Sequence, residues 1–328
     1  MDRRHFVKTA SALAALSVMP RSFAKAPADN KLFEVSLSQW SFHRAIFGDS
    51  RDNYEWFTKK LHSNPDAVLK GDMDPREIVV MARKLGVNKV DLVNVLWFAH
   101  AQDKPWLRQF KNMANAEGVG FTCLMCDELG NLGSTSKEAR SSAIEKHKPW
   151  IEAAIEMGCI QLRVNAYGGG TYLEQLEQNA ESLFELAEYT QQFKLELLVE
   201  NHGHPSSNGA WLAMLMQKVK HPNLGVYTDL DNFFMGGWNH SPQRRYDTIQ
   251  GLEDLAPYTR GVSAKTYDFK ANGQEQTIDY NSYMKILTDA GFSGYASAEY
   301  EGEEMSEMAG SIATVSLLQK TRDMLSRS

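Results

Sequence analysis

Four features are scarce or absent in this chain of 328 residues, and each absence excludes a class of protein. The three cysteines, Cys123, Cys126 and Cys159, are too few for the disulfide framework of a small secreted scaffold. No apolar run approaches the ~20 residues that a membrane-spanning helix needs. Acidic residues outnumber Lys and Arg by 41 to 35 without a basic block, so no nucleic-acid partner is expected. No linker rich in Pro or Ser divides residues 25–328, which predicts one domain there.

The first 24 residues have the pattern of an export signal. Arg3 and Arg4 form a twin arginine, a mild apolar stretch follows at residues 10–19, and Ala24 is a small residue at cleavage spacing. The apolar stretch is too short to cross a bilayer. We therefore predict a twin-arginine signal peptide over residues 1–24, a periplasmic location and no stable membrane anchor after cleavage. An amphipathic first helix is the alternative.

Short apolar runs alternate with amphipathic helical patterns after about residue 30. The eight runs are FEVSLSQW (33–40), VDLVNVLWF (90–98), VGFTCLMC (119–126), IQLRVNA (160–166), LELLVE (195–200), LGVYTD (224–229), GVSAKTY (261–267) and GYASAEY (294–300). Eight strand-then-helix units are the number in a TIM barrel, so the predicted fold is α/β, a single (β/α)8 TIM barrel. Two long loops, residues 41–74 and 230–247, are expected to shape a substrate pocket.

Three acidic residues end predicted strands: Glu200, Asp229 and Glu299. In a parallel barrel such positions converge on one mouth, where carboxylates repel each other unless they share a cation or a proton. We therefore predict that these three residues bind one divalent metal ion. Oxygen-rich ligation favours Mn²⁺, with Zn²⁺, Co²⁺ or Mg²⁺ as alternatives. Glu200 and Glu299 are also predicted to be catalytic.

Two further residues on or after the predicted strands complete the predicted catalytic set. His202 follows Glu200 closely and is interpreted as a substrate contact or proton carrier, with a solvated histidine as the alternative. Lys265 is flanked by apolar residues and needs a carboxylate or an anionic substrate to offset its desolvation. A purely structural ion pair is the alternative for this lysine.

Four residues are predicted to bind substrate: Trp40, Arg163, His204 and Trp238. The tryptophans have faces that stack on sugar rings, although core or lid packing fits them equally well. The glycines after Arg163 would let a ligand approach the backbone. His204 precedes a proline and is equally compatible with a turn. The C-x-x-C at 123–126 lies in a predicted strand, so we interpret it as packing rather than redox or zinc chemistry.

These residues, taken with their neighbours, resemble the xylose isomerase-like TIM barrels, the sugar phosphate isomerase/epimerase superfamily. The similar segments are VENHG with SSNGAW, YTDLDNF, VSAKTYDF with TIDY, and GYASAEYEG. The resemblance implies one divalent ion held by Glu, Asp, His and Glu from four strands. Glu200, Asp229 and Glu299 match the three carboxylates, whereas Ser263 stands where the histidine is expected. Asp231 is a second departure, since many members carry a glycine there.

The resemblance also implies proton abstraction next to a carbonyl of a sugar, with the metal polarising the substrate. We therefore predict an isomerase, epimerase or lyase that acts on a small keto-sugar or sugar derivative, in which His202 and Lys265 orient or polarise the substrate. A non-catalytic periplasmic sugar-binding protein on the same barrel is the alternative. An apurinic endonuclease shares the fold, but the acidity of the chain and its few strand-end histidines argue against it. A homo-oligomer is compatible with the sequence.

Overall fold

The computed structural model describes residues 32–236 and 240–327. The predicted signal peptide (1–24) and Trp238 lie outside the described residues. The export signal and the substrate contact of Trp238 remain predictions. None of the described helices is long and apolar enough to cross a membrane.

Eight parallel strands close into a barrel in the order β1-β10-β9-β6-β5-β4-β3-β2. The strands are β1 (Glu34–Ser38), β2 (Lys89–Val93), β3 (Gly120–Met125), β4 (Gln161–Asn165), β5 (Glu196–Glu200), β6 (Leu224–Asp229), β9 (Thr259–Thr266) and β10 (Tyr295–Tyr300). The two-residue strands β7 (Phe234–Met235) and β8 (Arg244–Arg245) form a separate antiparallel pair. With helices after the strands, this architecture confirms the predicted single (β/α)8 barrel.

Ten α-helices lie in the described residues. They are α1 (His43–Phe47), α2 (Tyr54–Ser63), α3 (Ile78–Lys84), α4 (Lys104–Glu117), α5 (Lys137–Met157), α6 (Tyr172–Gln191), α7 (Gly209–Val219), α8 (Thr248–Leu255), α9 (Tyr280–Asp289) and α10 (Glu307–Leu325). Most begin at an Asn, Asp, Ser or Thr whose side chain accepts a backbone N–H of the first turn. Thr171 and Glu174 add a reciprocal capping box at the start of α6.

The second predicted strand was too long. β2 ends at Val93, and residues 94–100 form 3-10 turns instead of continuing the strand. The cause is Asn94, whose amide nitrogen donates to the backbone oxygen of Asp127 at 2.9 Å while its amide oxygen accepts the Asp127 N–H at 2.8 Å. The side chain of Asn94 therefore takes the place of a ladder pairing at this point. The long loop after β1 contains α1 and α2, and the loop after β6 contains β7 and β8.

The strand register decides which side chains meet at the C-terminal mouth. Lys265 on β9 is paired with Glu299 on β10, and Ser263 is paired with Asp229 on β6 and with Ser297 on β10. Because residues two apart share a face of a strand, Ser263 and Lys265 point the same way, one layer apart. The β6, β9 and β10 strands therefore bring Asp229, Lys265 and Glu299 together.

The barrel interior contains both apolar and polar side chains. Asp91 on β2 is fully buried, accepts a hydrogen bond from Tyr227 Oη at 2.5 Å and contacts Thr122. Cys123, Cys126 and Cys159 are buried free thiols, and burial raises the pKa of each. Their burial agrees with packing rather than redox or zinc chemistry.

Candidate active site

Lys265 lies among three carboxylates at the C-terminal mouth. Its Nζ is 3.2 Å from Asp229 Oδ2, 3.4 Å from Glu299 Oε1 and 3.3 Å from Glu301 Oε1. Asp229, Lys265 and Glu299 are all buried, with at most 5% of any of them exposed. Such charges are stable in the interior only when they compensate one another. The ammonium and these carboxylates therefore form one electrostatic unit.

Glu200 forms a second ion pair beside this unit. Arg163 Nε is 2.7 Å from Glu200 Oε2, and Arg163 Nη1 is 2.6 Å from Asp127 Oδ1. Asn165, two residues after Arg163, donates to the same Asp127 oxygen at 2.6 Å. Arg163 was predicted to bind substrate, and the structure places it between two carboxylates of the protein. Its role is therefore to hold Glu200 and Asp127, and a substrate contact stays a prediction.

Asn232 connects the two groups. Its Nδ2 donates to Glu200 Oε1 at 3.2 Å, and its Oδ1 accepts from Lys265 Nζ at 3.2 Å. The residue is fully buried in the loop that follows β6. Because an amide can donate and accept at once, Asn232 fixes the carboxylate of Glu200 and the ammonium of Lys265 relative to each other.

Backbone N–H groups of the following turn fix the carboxylate of Asp229. Its Oδ1 accepts the N–H groups of Asp231 and Asn232 at 2.7 and 2.8 Å. Asn201 pairs with its main chain, accepting the Asp229 N–H at 2.8 Å and donating to its carbonyl at 3.0 Å. The carboxylate orientation is thus set by the turn after β6, and only Oδ2 faces Lys265.

Burial governs the pKa values of the carboxylates in the mouth. Burial raises the pKa of Glu200, which Arg163 opposes and Asp229 reinforces. Burial also raises the pKa of Asp229 and of Glu299, and Lys265 opposes both shifts. Isolated buried carboxylates favour the protonated form, and a neighbouring cation favours the ionised form.

The pKa values of Glu301 and Lys265 shift in the direction that favours the charged form of each group. Burial acts to raise the pKa of Glu301, but Lys265 and His43 outweigh it, and the pKa is lowered. Burial acts to lower the pKa of Lys265, but Asp229, Glu301 and Glu299 outweigh it and raise that pKa well above its usual range. Lys265 is therefore a permanent ammonium ion.

The predicted histidines lie toward the rim. His202 is partly buried and contacts the hydroxyl of Tyr167 through Nδ1. Burial, assisted by Arg163, lowers the pKa of His202 to about 3, so its ring is neutral. His204 is exposed and packs edge-on against Tyr167 at 5.0 Å between ring centroids. The structure therefore places His202, and not His204, near the ion pairs that Arg163 forms with Glu200 and Asp127.

Trp40 lies on the opposite side of the mouth, in the 3-10 turn after β1. Its Nε1 donates to Glu301 Oε1 at 2.8 Å, and its ring stacks on His43 at 4.6 Å between centroids. Arg51 covers the ring at 4.7 Å from its centroid. Trp40 is thus a wall of the mouth, and its predicted contact with substrate remains a prediction.

Several residues of the site were missed in the sequence. Glu301 comes directly after β10, and its spacing of two from Glu299 indicates a shared face. Asp127 lies two residues after the end of β3, so a search for acidic residues just beyond strand ends would also have found it. Ser38, which donates to Glu299 Oε2 at 2.8 Å, and Asn232 carried no such signal.

The residues in this arrangement do not fit a divalent ion. Within the described residues no group of three or more His, Cys, Asp or Glu is arranged to hold a metal. Glu200, Asp229 and Glu299 have six carboxylate oxygens, and a hydrogen-bond donor or a protein cation engages every one. The contacts of Glu200 Oε2 and Asp229 Oδ2 are ion pairs without hydrogen-bond alignment. The predicted metal site therefore has no support in this arrangement, and metal analysis of the protein tests it.

The protein is a (β/α)8 barrel with an acidic cluster at the C-terminal mouth. Comparison with known families agrees with this class. The family model for xylose isomerase-like TIM barrels matches residues 79–323. The chain therefore belongs to the xylose isomerase-like TIM barrel family.

Individual relatives are distant. A protein of Campylobacter concisus described as a probable endonuclease 4 is 28% identical over 191 residues, which are 53% of this chain and 66% of the relative, slightly under two thirds. The Escherichia coli 3-keto-D-glucoside 4-epimerase has a TM-score of 0.58 at 14% identity, covering 75% of this chain and 94% of its own. A Mycobacterium smegmatis barrel in complex with magnesium has a TM-score of 0.58 at 12% identity, covering 89% and 97%. At these identities the two structures establish the fold alone.

Proposed function

We propose that this protein is an isomerase, epimerase or lyase that moves a proton at the carbon next to a carbonyl of an uncharged keto-sugar or sugar derivative. The observation that supports this best is the acidic mouth, in which Glu299 contacts the buried ammonium of Lys265 and Asn232 links Glu200 to the same ammonium. The 3-keto-D-glucoside 4-epimerase with the same fold acts on a keto-sugar, which supports the substrate class.

The chemistry needs a base, an acid and a stabiliser of negative charge. A carboxylate of Glu200 or Glu299 takes the proton from the carbon, and the electron pair passes to the carbonyl oxygen as an enediolate. A cation fixed in a water-poor cavity lowers the energy of that oxyanion, and Lys265 supplies one. β5 and β10 are separated in the barrel by β6 and β9, so the two glutamates approach the mouth from different sides.

The fate of the enediolate decides the product. Return of a proton from the second glutamic acid to the opposite face of the carbon inverts that centre. Return of the proton to the neighbouring carbon exchanges aldehyde and ketone, and loss of a β substituent gives elimination. We propose His202, with Tyr167 beside it, and Trp40 as the residues at the rim that contact the sugar.

The predicted Mn²⁺ would supply a Lewis acid for the same oxyanion. In this proposal the two glutamates and Lys265 carry out the proton transfers themselves. Metal content and melting temperature decide whether Glu200, Asp229 and Glu299 bind an ion.

The reaction is tested by isotope exchange. A 3-keto-glycoside or a free ketose is incubated with the protein in D₂O, and deuterium at the carbon next to the carbonyl is followed by NMR. We expect incorporation with the wild type, and turnover lower by about 100-fold or more in Glu200→Gln and Glu299→Gln, which keep the shape and remove the base. Incorporation that persists undiminished in both variants would contradict the assignment of the two glutamates.

A matched control separates chemistry from folding. Glu196→Gln changes a glutamate on the same strand as Glu200, at the far end, where it pairs with Arg260 at 3.3 Å. This variant should exchange at the wild-type rate. Cleavage of DNA at abasic sites, assayed in parallel, tests the apurinic-endonuclease alternative, and cleavage without sugar exchange would replace the proposal.

A further inference from the structure

The family resemblance and the structure disagree about the cation of the acidic mouth. The resemblance puts a divalent ion among Glu200, Asp229 and Glu299. In the structure the Nζ of Lys265 is 3.2 Å from Asp229 Oδ2 and 3.4 Å from Glu299 Oε1. An ammonium nitrogen at these distances occupies the space in which an ion would bridge the two carboxylates, because metal–oxygen distances are only ~2.0–2.6 Å.

The donor set is also incomplete for an ion. Ser263 stands at the position of the expected imidazole, and its buried hydroxyl finds no hydrogen-bond partner in the described part of the chain. A neutral hydroxyl is a poor ligand beside imidazole or carboxylate. Glu299 is held through its second oxygen by Ser38, and Asp229 through its second oxygen by two backbone N–H groups.

The surroundings hold Lys265 in place independently of Glu200. Glu301 Oε1 is 3.3 Å from its Nζ and is itself fixed by the indole of Trp40 at 2.8 Å. Asn232 Oδ1 accepts from the same ammonium at 3.2 Å. Four oxygens from two segments of the chain, residues 229–232 and 299–301, thus lie around the nitrogen, more than its three protons require.

We infer that the ammonium of Lys265 is the resident cation of this carboxylate cluster, in the place where the resemblance puts a divalent ion. The protein folds and keeps its acidic mouth together without a metal. The role of Lys265 in stabilising an oxyanion rests on the proposed function. Its assignment as the cation of the carboxylate cluster does not.

The wild-type protein gives the first test. Protein purified without chelator is analysed for metals by mass spectrometry, and its melting temperature is measured with EDTA, Mn²⁺, Zn²⁺, Co²⁺ or Mg²⁺. We expect far less than one metal per chain and no shift in melting temperature. One tightly held ion per chain, or a rise of several degrees as expected for a ligand at ~100 times its Kd, would overturn the inference.

The variant Lys265→Met gives the second test. Removal of one partner of a buried charge cluster should lower the melting temperature by roughly 5 °C or more. Added Mn²⁺ or Zn²⁺ should now raise it, because the carboxylates have lost their cation. Lys285→Met is the matched control, since Lys285 is exposed and pairs with Asp289 at 2.7 Å on the surface; it should melt like the wild type in every buffer.

The outcomes divide clearly. A Lys265→Met variant that melts like the wild type and ignores metals would contradict the inference, because the cluster would then need no cation from this residue. If this variant does not fold, the wild-type metal content and melting curves decide alone. None of these readouts uses turnover, so a failed exchange assay would overturn the proposed function and leave the cation assignment standing.

Discussion

At the scale of single residues, Asp91 is a buried carboxyl that forms no ion pair within the described residues. Burial raises its pKa to about 6 from 3.8, even though hydrogen bonds from Thr122 and Tyr227 act to lower it. The protonated form is therefore favoured in the folded protein relative to the unfolded chain. A group of this kind stabilises the fold below the pKa of the unfolded chain, and the contribution is lost as the pH rises through the folded pKa.

The variant Asp91→Asn tests this consequence of burial. Between pH 4 and pH 7 the wild type should lose up to about 3 kcal/mol of unfolding free energy from this group, and the variant should lose none of that share. The measurement is urea denaturation at several pH values, compared as the difference between the two proteins. A difference that does not change with pH would contradict the raised pKa.

At the scale of secondary structure, the contact between α10 and β10 is unusually close. A Cβ built on Gly310 would lie 2.3 Å from the ring of Tyr300, which is flanked by Glu299 and Glu301. The helix can therefore approach the strand only because position 310 has no side chain. The positions of Glu299 in β10 and of Glu301 just after it therefore depend on this contact.

The variant Gly310→Ala separates helix propensity from packing. Alanine in a helix normally gains up to about 1 kcal/mol over glycine. Overpacking against Tyr300 should cost roughly 1–3 kcal/mol and outweigh that gain. We expect a lower melting temperature together with reduced exchange activity. Ser316→Ala, at a half-buried position of the same helix, should leave both within error, and a more stable Gly310→Ala would show that the helix can shift.

The barrel was predictable from sequence because its signals are local and repeated. Eight apolar runs alternate with amphipathic stretches, and the acidic residues that close two of the runs, Glu200 and Asp229, end β5 and β6. The contacts of the site depend on register between distant segments. Asn232 reaching both Glu200 and Lys265, and Ser38 reaching Glu299 across 261 positions, leave no periodic trace in the chain. The sequence also placed Lys265 near carboxylates without indicating that it would compete with a metal for them.

At the scale of the whole molecule, the twin-arginine signal remains a prediction about transport. Changing Arg3 and Arg4 together to Lys should leave the precursor in the cytoplasm, because the twin arginine is the recognised part of such signals. Cell fractionation with immunodetection measures the distribution. The single change Lys25→Arg, just after the expected cleavage site, serves as the control. An unchanged periplasmic yield of the double variant would contradict the predicted route.

The buried thiols have a consequence for the lifetime of the protein. Cys123, Cys126 and Cys159 are shielded in the native barrel, and their raised pKa values keep them as unreactive thiols. Global unfolding exposes all three at once, and an oxidising medium can then link them in pairs that the native barrel does not contain. Where this pairing is faster than refolding, survival in that medium is set by the rate of unfolding and not by the equilibrium between folded and unfolded forms.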